Sequence, residues 1–369
     1  MSKYKITLTP VDKFFFGGDM TFQVGDDEKN AFNRQYSSYI IQSTRFPQQT
    51  SLLGMLRFLI LSNAGESVFK DNKIQNKDEA SNLIGDKSFS VNDGTKENPF
   101  GKIESISHVR VLRIENTKET ELEFAPLYGS INFDNGVDGT YNLGTLRVPR
   151  LSEYKAKDGL ETMLTDGKNK YNLTDIFVED RRVGIARSIV TGKTDDDGAL
   201  FKQISYRFND NGAKHCFRFY AEVEEVELKK YDKQLVTVGG DNSQFIIEIV
   251  EGEDPSQKDC DNGSLPICLL SPAYISREDV KKYTCFAITR LIPFRFLMDR
   301  GDNKDGDGRS YHVVNSKLKR SERFELYAPG TVFYFMDKAQ REKFVKALEG
   351  RKDFRQIGYN EYKSIELAK

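Results

Sequence analysis

Residues 181–201 read Arg-Arg-Val-Gly-Ile-Ala-Arg-Ser-Ile-Val-Thr-Gly-Lys-Thr-Asp-Asp-Asp-Gly-Ala-Leu-Phe. Cations alternate with apolar residues, a polar run of Thr, Gly, Lys and Asp follows, and Gly198-Ala199-Leu200-Phe201 opens a second apolar run. That order predicts a β-hairpin with a basic stem and a polar tip. It sets the chain among strand-dominated folds that carry a protruding arm. Arginine forks suit phosphate, so the stem is either a binding arm or a solvated surface hairpin.

Working outward, Tyr4-Lys5-Ile6-Thr7-Leu8 alternates at period two and ends at Pro10, predicting a first strand. Leu52, Leu53, Leu56, Leu59 and Ile60 form the apolar stripe of a helix that Thr50 or Ser51 can cap, with Pro47 holding the preceding chain out of helix. Residues 64–102 are polar and rich in Asn, Asp, Lys and Gly, predicting an insertion or mobile loop with at most one short helix. Strands are expected at 104–114, 121–128 and 216–223, and a further pair at 235–240 and 245–249 brackets a Gly-Gly-Asp-Asn turn. The last third predicts strands at 266–271, 283–290 and 323–336, a helix opened by Asp337, and a short terminal strand. Strands dominate without regular βα alternation, which defines an α+β class.

Of 369 residues, 38% are hydrophobic, with 26 Phe and 17 Tyr, enough for a sizeable core. The net charge of −1 excludes a bulk polycation, so any nucleic-acid contact must come from local clusters. No apolar leader or membrane-length segment is present, and Cys216, Cys260, Cys268 and Cys285 lack metal or redox spacing. A cytoplasmic chain with free thiols is the expectation.

Gly192-Lys193-Thr194 lacks the upstream glycine of a phosphate loop, since Arg187 stands there, and it lies between strands. In residues 301–308, Asn303, Asp305 and Asp307 resemble calcium ligands, but the closing position falls on Val314. His108, His215 and His312 are scattered, and no nucleophile or metal constellation accompanies them, so no cofactor and no metal site are expected. The basic clusters are coherent: Arg147 with Arg150; Arg181 with Arg182 and Arg187; Lys317 with Lys319, Arg320 and Arg323. Each flanks a predicted strand end or turn, as a surface reading a nucleic-acid backbone would require. Phe217, Phe219 and Tyr220 lack the context of an RNA-stacking motif and are read as core.

Four segments together resemble one family: Leu8 to Phe22 with its Phe14-Phe15-Phe16-Gly17-Gly18 run, Pro47 to Arg57, Arg182-Val183-Gly184-Ile185 closing at Gly198 to Phe201, and Gly239-Gly240. In order and spacing they are similar to the third subunit of the Cmr complex, the type III-B CRISPR RNA-guided effector, within the RAMP superfamily. The resemblance implies two ferredoxin-like (RRM-like) domains, expected at 1–215 and 216–369, with a β-hairpin thumb at about 181–208 and loop insertions. It implies a non-catalytic subunit that holds the 5′ tag of the CRISPR RNA and joins the large polymerase-type subunit to the backbone subunit, meeting target RNA only indirectly. On this sequence, Thr50 and Ser51 would present helix N–H groups to phosphate, with Arg45 and Arg57 at that helix. Arg181, Arg182 and Arg187 would be the thumb that kinks the RNA, and Gly358 with Tyr359 would correspond to the glycine-rich RAMP loop. Three departures stand out: Gly358 is a single glycine, Ala186 replaces a polar residue, and Asp195-Asp196-Asp197 would repel phosphate. Two other readings remain open, an endoribonuclease using His108, His215 or His312 as base and a protein-only scaffold.

Overall fold

The computed structural model describes residues 1–18, 20–24, 36–127, 140–143, 146–149, 160–185, 200–255, 265–299 and 318–365. Strand exceeds helix, as the α+β reading expects. The N-terminal strand, Ser2–Pro10, is the spine of the largest sheet. It lies antiparallel between Lys214–Val223 and Gln244–Glu251. Outward from Lys214–Val223 come Arg110–Glu115, Lys118–Phe124, Met163–Thr165 and Lys170–Asn172. Beyond Gln244–Glu251 lies Leu235–Thr237. Period-two alternation sends Tyr4, Ile6 and Leu8 inward, where they are at most 3% exposed.

The helix Gln49–Ser62 covers that inner face, and every residue of its predicted stripe is buried. Taken in chain order, Ser2–Pro10, this helix, Arg110–Glu115, Lys214–Val223, the 3-10 turn Leu228–Tyr231 and Gln244–Glu251 give a sheet order of second, third, first, fourth strand. The same order recurs downstream. Ile267–Leu269, the helix Arg277–Tyr283, Phe286–Ile288, Val332–Tyr334, the helix Lys338–Glu349 and Tyr362–Ser364 form a second antiparallel sheet, again second, third, first, fourth. Phe333, Phe335, Phe344 and Leu348 fill the core between that sheet and its helices.

The point 215/216 falls within one strand. Residue 215 lies inside Lys214–Val223, which is hydrogen-bonded along its length to the N-terminal strand, and sheet membership changes between Glu251 and Ile267. The segment 64–102 also differs from a mobile loop. It folds as a small hairpin, Phe69–Lys70 with Lys73–Ile74, and a helix Lys77–Ile84 capped by the Asn76 side chain. Val68, Phe69, Ala80, Ile84, Phe89 and Phe100 anchor it in the main core. The predicted strand 283–290 shrinks to Phe286–Ile288, because Ser276 caps a helix through the Asp279 N–H and that helix runs to Tyr283.

The Phe14-Phe15-Phe16 run joins the layers. Phe14 packs with ring centroids 4.9 Å from Phe16, 5.3 Å from Phe217 and 5.5 Å from Phe208. Gly240 donates its N–H to the Phe15 carbonyl at 2.8 Å. Gly239 has φ +89°, and a Cβ on it would sit 2.6 Å from that carbonyl oxygen, so only glycine permits the approach. Two of the segments that carry the family resemblance thus meet in space.

Candidate nucleic-acid interface

The hairpin is present. Phe177–Ile185 pairs with Leu200–Phe208 from Phe177 opposite Phe208 to Ile185 opposite Leu200, and residues 186–199, including Arg187 and the Asp195–Asp197 tip, lie outside the described residues. Its base is locked into the aromatic core by Phe177, Tyr206 and Phe208, each at most 5% exposed. Midway along the stem the Arg181 and Arg182 side chains are 63% and 62% exposed, and Val183 is exposed beside them. Leu200–Phe208 also pairs in parallel with Tyr36–Gln42, which pairs with Met20–Val24, so the stem is one edge of a four-stranded sheet.

Neither arginine is a free charge. Arg181 donates through Nε and Nη2 to Glu179 Oε2 at 2.8 and 2.6 Å, and Arg182 Nε donates to Asp180 Oδ1 at 3.1 Å. Lys13 Nζ lies 3.6 Å from the same Asp180 oxygen. Each cation pairs with the acid two residues before it, so the two pairs occupy opposite faces of the strand. Lys202 and Arg207 on the partner strand add positive charge that the sequence reading missed. The signal was available, since both lie on the returning arm of the same hairpin.

Arg45 follows the strand Tyr36–Gln42 and lays its guanidinium over the Tyr206 ring, 5.1 Å from the centroid. The Tyr206 hydroxyl accepts from Gln42 Nε2 at 2.8 Å. Arg45 is thereby fixed at the foot of the hairpin.

Thr50, Ser51 and Gly358 are brought to one place, though not as an open phosphate cradle. The helix N-cap is Gln48, with no side-chain cap bond, rather than Thr50 or Ser51. The buried Gln49 amide donates through Nε2 to the Ser107 and Ile357 carbonyls, both at 2.7 Å. The Gln49 backbone faces the hydroxyl of buried Tyr359, whose pKa burial pushes up. Gly358 is buried at φ +77°, and a Cβ there would lie 2.3 Å from the Ser107 carbonyl carbon and 2.4 Å from His108 N. This glycine closes the C-terminal segment onto the helix start. Arg57 points elsewhere, donating to the Gly85 and Lys87 carbonyls at 3.0 and 3.1 Å. Burial lowers its pKa to about 10, with Asp86 opposing, and it remains a cation that ties down a loop.

The remaining basic positions are dispersed. Arg323 is exposed just ahead of the strand Phe324–Tyr327. Arg147 lies on the strand Leu146–Pro149, opposite Asn142. Arg150 and Lys317 lie outside the described residues, as do the 301–308 acidic loop and His312.

The outer face of the large sheet carries a closed charge network. Buried Arg110 donates to Asp254 at 2.8 Å with Glu121 and Glu123 at 3.7 and 3.8 Å. Arg218 donates to Glu119 at 2.8 Å and to Thr7 Oγ1 at 3.2 Å, and the Tyr220 hydroxyl donates to Glu121 at 2.5 Å. Hydrogen bonding by Arg218 holds the Glu119 carboxyl below its usual range. Arg110 and Arg218 are matched by carboxylates and Tyr220 is only 7% exposed, so this network offers RNA neither an unpaired guanidinium nor a stacking platform. Phe217 and Phe219 are core, as their context indicates.

The two described histidines are buried. Both His108 ring nitrogens are buried without a hydrogen-bond partner, and burial pushes its pKa well down, with Arg110 and Lys363 adding to the shift. His215 is 7% exposed and lowered by the same cause. Among the described residues no His, Cys, Asp and Glu group is arranged to hold a metal ion, and no helix is long and apolar enough to cross a membrane.

Fold and site together define a strand-rich α+β protein with two helix-crossed sheets and a rigidly based cationic arm. A model of the family described as CRISPR-associated protein (Cas_Cmr3) matches residues 6–367. The chain belongs to that family. No curated protein matches it in sequence. Among solved structures, a chain of the Type III-B Cmr-beta complex bound to cognate target RNA aligns over 98% of this chain and 96% of its own, at 13% identity and TM-score 0.49. A chain of Cmr-beta bound to cognate target RNA and AMPPnP, state 1, aligns over 96% and 94%, at 14% identity and TM-score 0.46.

Proposed function

We propose that this chain is a non-catalytic, RNA-gripping subunit of a type III-B CRISPR ribonucleoprotein effector. It holds the 5′ tag of the CRISPR RNA at the hairpin and joins the large polymerase-type subunit to the backbone subunit. The observation that carries the reading is the exposed Arg181–Arg182 stem on a base fixed by Phe177, Tyr206 and Phe208, in a chain matched to the family over nearly its whole length. A cationic arm on a rigid base can bend a strand of RNA without being displaced by it, and phosphate contacts set position without reading sequence. The repeated strand order supports treating both sheets as ferredoxin-like units, with the hairpin inserted between the second and third strands of the first.

Reconstitution of the effector with and without this subunit tests the reading. With it, the tag nucleotides should be protected from nuclease and the large subunit should co-elute with the backbone filament. Equal tag protection and equal recovery of the large subunit in its absence would sink the proposal.

A further inference from the structure

Arg45 differs from the hairpin arginines in having no acid. Arg181 and Arg182 each pair with a carboxylate, whereas among the described residues no carboxylate pairs with Arg45, and its buried Nε has no hydrogen-bond partner. An aromatic ring holds it instead. The guanidinium lies 5.1 Å from the centroid of Tyr206, a side chain only 1% exposed and locked in place by its surroundings. The Tyr206 hydroxyl accepts from Gln42 Nε2 at 2.8 Å, and its backbone N–H and carbonyl bond to Phe14 at 3.0 and 2.7 Å. The chain just before Arg45 is pinned as well. Ser43 N–H donates to the Ile204 carbonyl at 2.9 Å, and Thr44 N–H donates to the Gly17 carbonyl at 2.8 Å. A half-buried arginine is thus fixed by contacts to its ring-facing side and its backbone, none of which neutralises its charge.

A guanidinium stacked on an aromatic face keeps the donors at its planar edge, where the terminal nitrogens can meet the two non-bridging oxygens of one phosphate. Fixing the side chain beforehand removes much of the ordering cost of that contact. The hairpin register points the same way. Tyr206 stands opposite Glu179 and Arg181 opposite Ile204, so Tyr206 and Arg181 share one face of the hairpin, with Lys202 further along it opposite Val183. Arg182, opposite Gln203, belongs to the other face. We propose that Arg45 is a preorganised site for one phosphodiester of the bound RNA, and that Tyr206 and Gln42 are its positioning residues. The site rests on the RNA-binding reading above. It gives that reading a fixed point at the foot of the hairpin, from which the RNA backbone continues toward Arg181 and Lys202.

The test uses the full chain and a fluorescein-labelled single-stranded RNA of mixed sequence, titrated over a KCl series. R45A should bind about ten-fold more weakly and lower the salt slope by about 0.7, the value for one single-strand phosphate. R45K keeps the charge without the planar stack, so it should retain the wild-type slope while binding more weakly. Q42A and Y206F each remove the bond that steadies the ring and should weaken binding about three-fold, the order of one hydrogen bond. In the R45A background neither should have any further effect, because both act through Arg45, whereas R182A should multiply with R45A. Thermal melting guards against misfolding, and Q42A, at an exposed position, carries the positioning test if Y206F loosens the core. Wild-type binding by Q42A, or a loss that persists in full in the R45A background, would overturn the positioning role. Wild-type affinity and slope in R45A, with R182A weakened, would overturn the site and leave the RNA reading standing. Unchanged RNA affinity with weakened subunit association would mean that Arg45 meets a protein carboxylate, again overturning it. Absence of RNA binding by the wild-type chain would overturn the RNA reading itself.

Discussion

Asp180 and Arg182 make opposing predictions from a single contact. Arg182 Nε donates to Asp180 Oδ1 at 3.1 Å with the arginine side chain 62% exposed. To engage RNA it must leave that carboxylate. An exposed ion pair is worth about 0.2–1 kcal/mol, and a hydrogen bond to a charged partner contributes about 1.5–3 kcal/mol net. Arg182→Ala should therefore cost about 1–2 kcal/mol of RNA affinity, roughly five- to thirty-fold. Asp180→Asn removes the competing carboxylate and frees both Arg182 and Lys13, so it should tighten binding by about two- to five-fold. Fluorescence anisotropy with one labelled single-stranded RNA, at one low salt concentration, measures both. Melting temperatures should barely move, because exposed substitutions of this kind stay within about 0.5 kcal/mol. A weakened Asp180→Asn would show that the carboxylate supports the bound state, and the competition reasoning would be refuted.

Other outcomes follow from packing and titration. Gly358→Ala forces a Cβ to within 2.4 Å of two backbone atoms at φ +77° and should cost about 2–4 kcal/mol, read as a lower urea midpoint; an unchanged midpoint would show that the closure relaxes freely. Asp337→Ala removes the oxygen that accepts the Gln340 N–H at 2.7 Å and should cost about 1 kcal/mol, whereas Asp337→Asn should cost little; equal losses in differential scanning calorimetry would contradict the cap. His108 is neutral when folded because its pKa lies well below 6.5. The unfolded chain therefore takes up the proton first, and stability falls as pH drops below 6.5, approaching about 1.4 kcal/mol per unit. His215 acts in the same direction, and His108→Gln should flatten the slope between neutral pH and pH 5; an unaltered slope would place the titration elsewhere.

Local signals in the sequence were legible where one residue type has one physical use. Alternation marked the N-terminal strand, the leucine stripe marked Gln49–Ser62, and Asp337 marked the cap of Lys338–Glu349. The hairpin was readable because its arms differ so sharply from its tip. Long-range pairing was not. Nothing local in Lys214–Val223 says that its partners are Ser2–Pro10 and Arg110–Glu115. A Ser276-x-x-Asp279 cap was present in the sequence and outweighs the apolar residues after it. At the site, the acids that neutralise Arg181 and Arg182 sit two residues away and were visible. The stacking of Arg45 on Tyr206 joins residues far apart in the chain, and no periodicity could have revealed it.

The central claim is that the hairpin and its foot, not the outer face of the large sheet, hold the RNA. Ultraviolet crosslinking of RNA co-purified with the co-expressed complex, mapped to peptides of this chain, tests it most directly. The account predicts small RNAs with a constant 5′ tag, crosslinked within Phe177–Phe208 and near Arg45. Crosslinks concentrated on the strands that carry Arg110, Glu121 and Arg218, or RNA without a constant 5′ end, would contradict it.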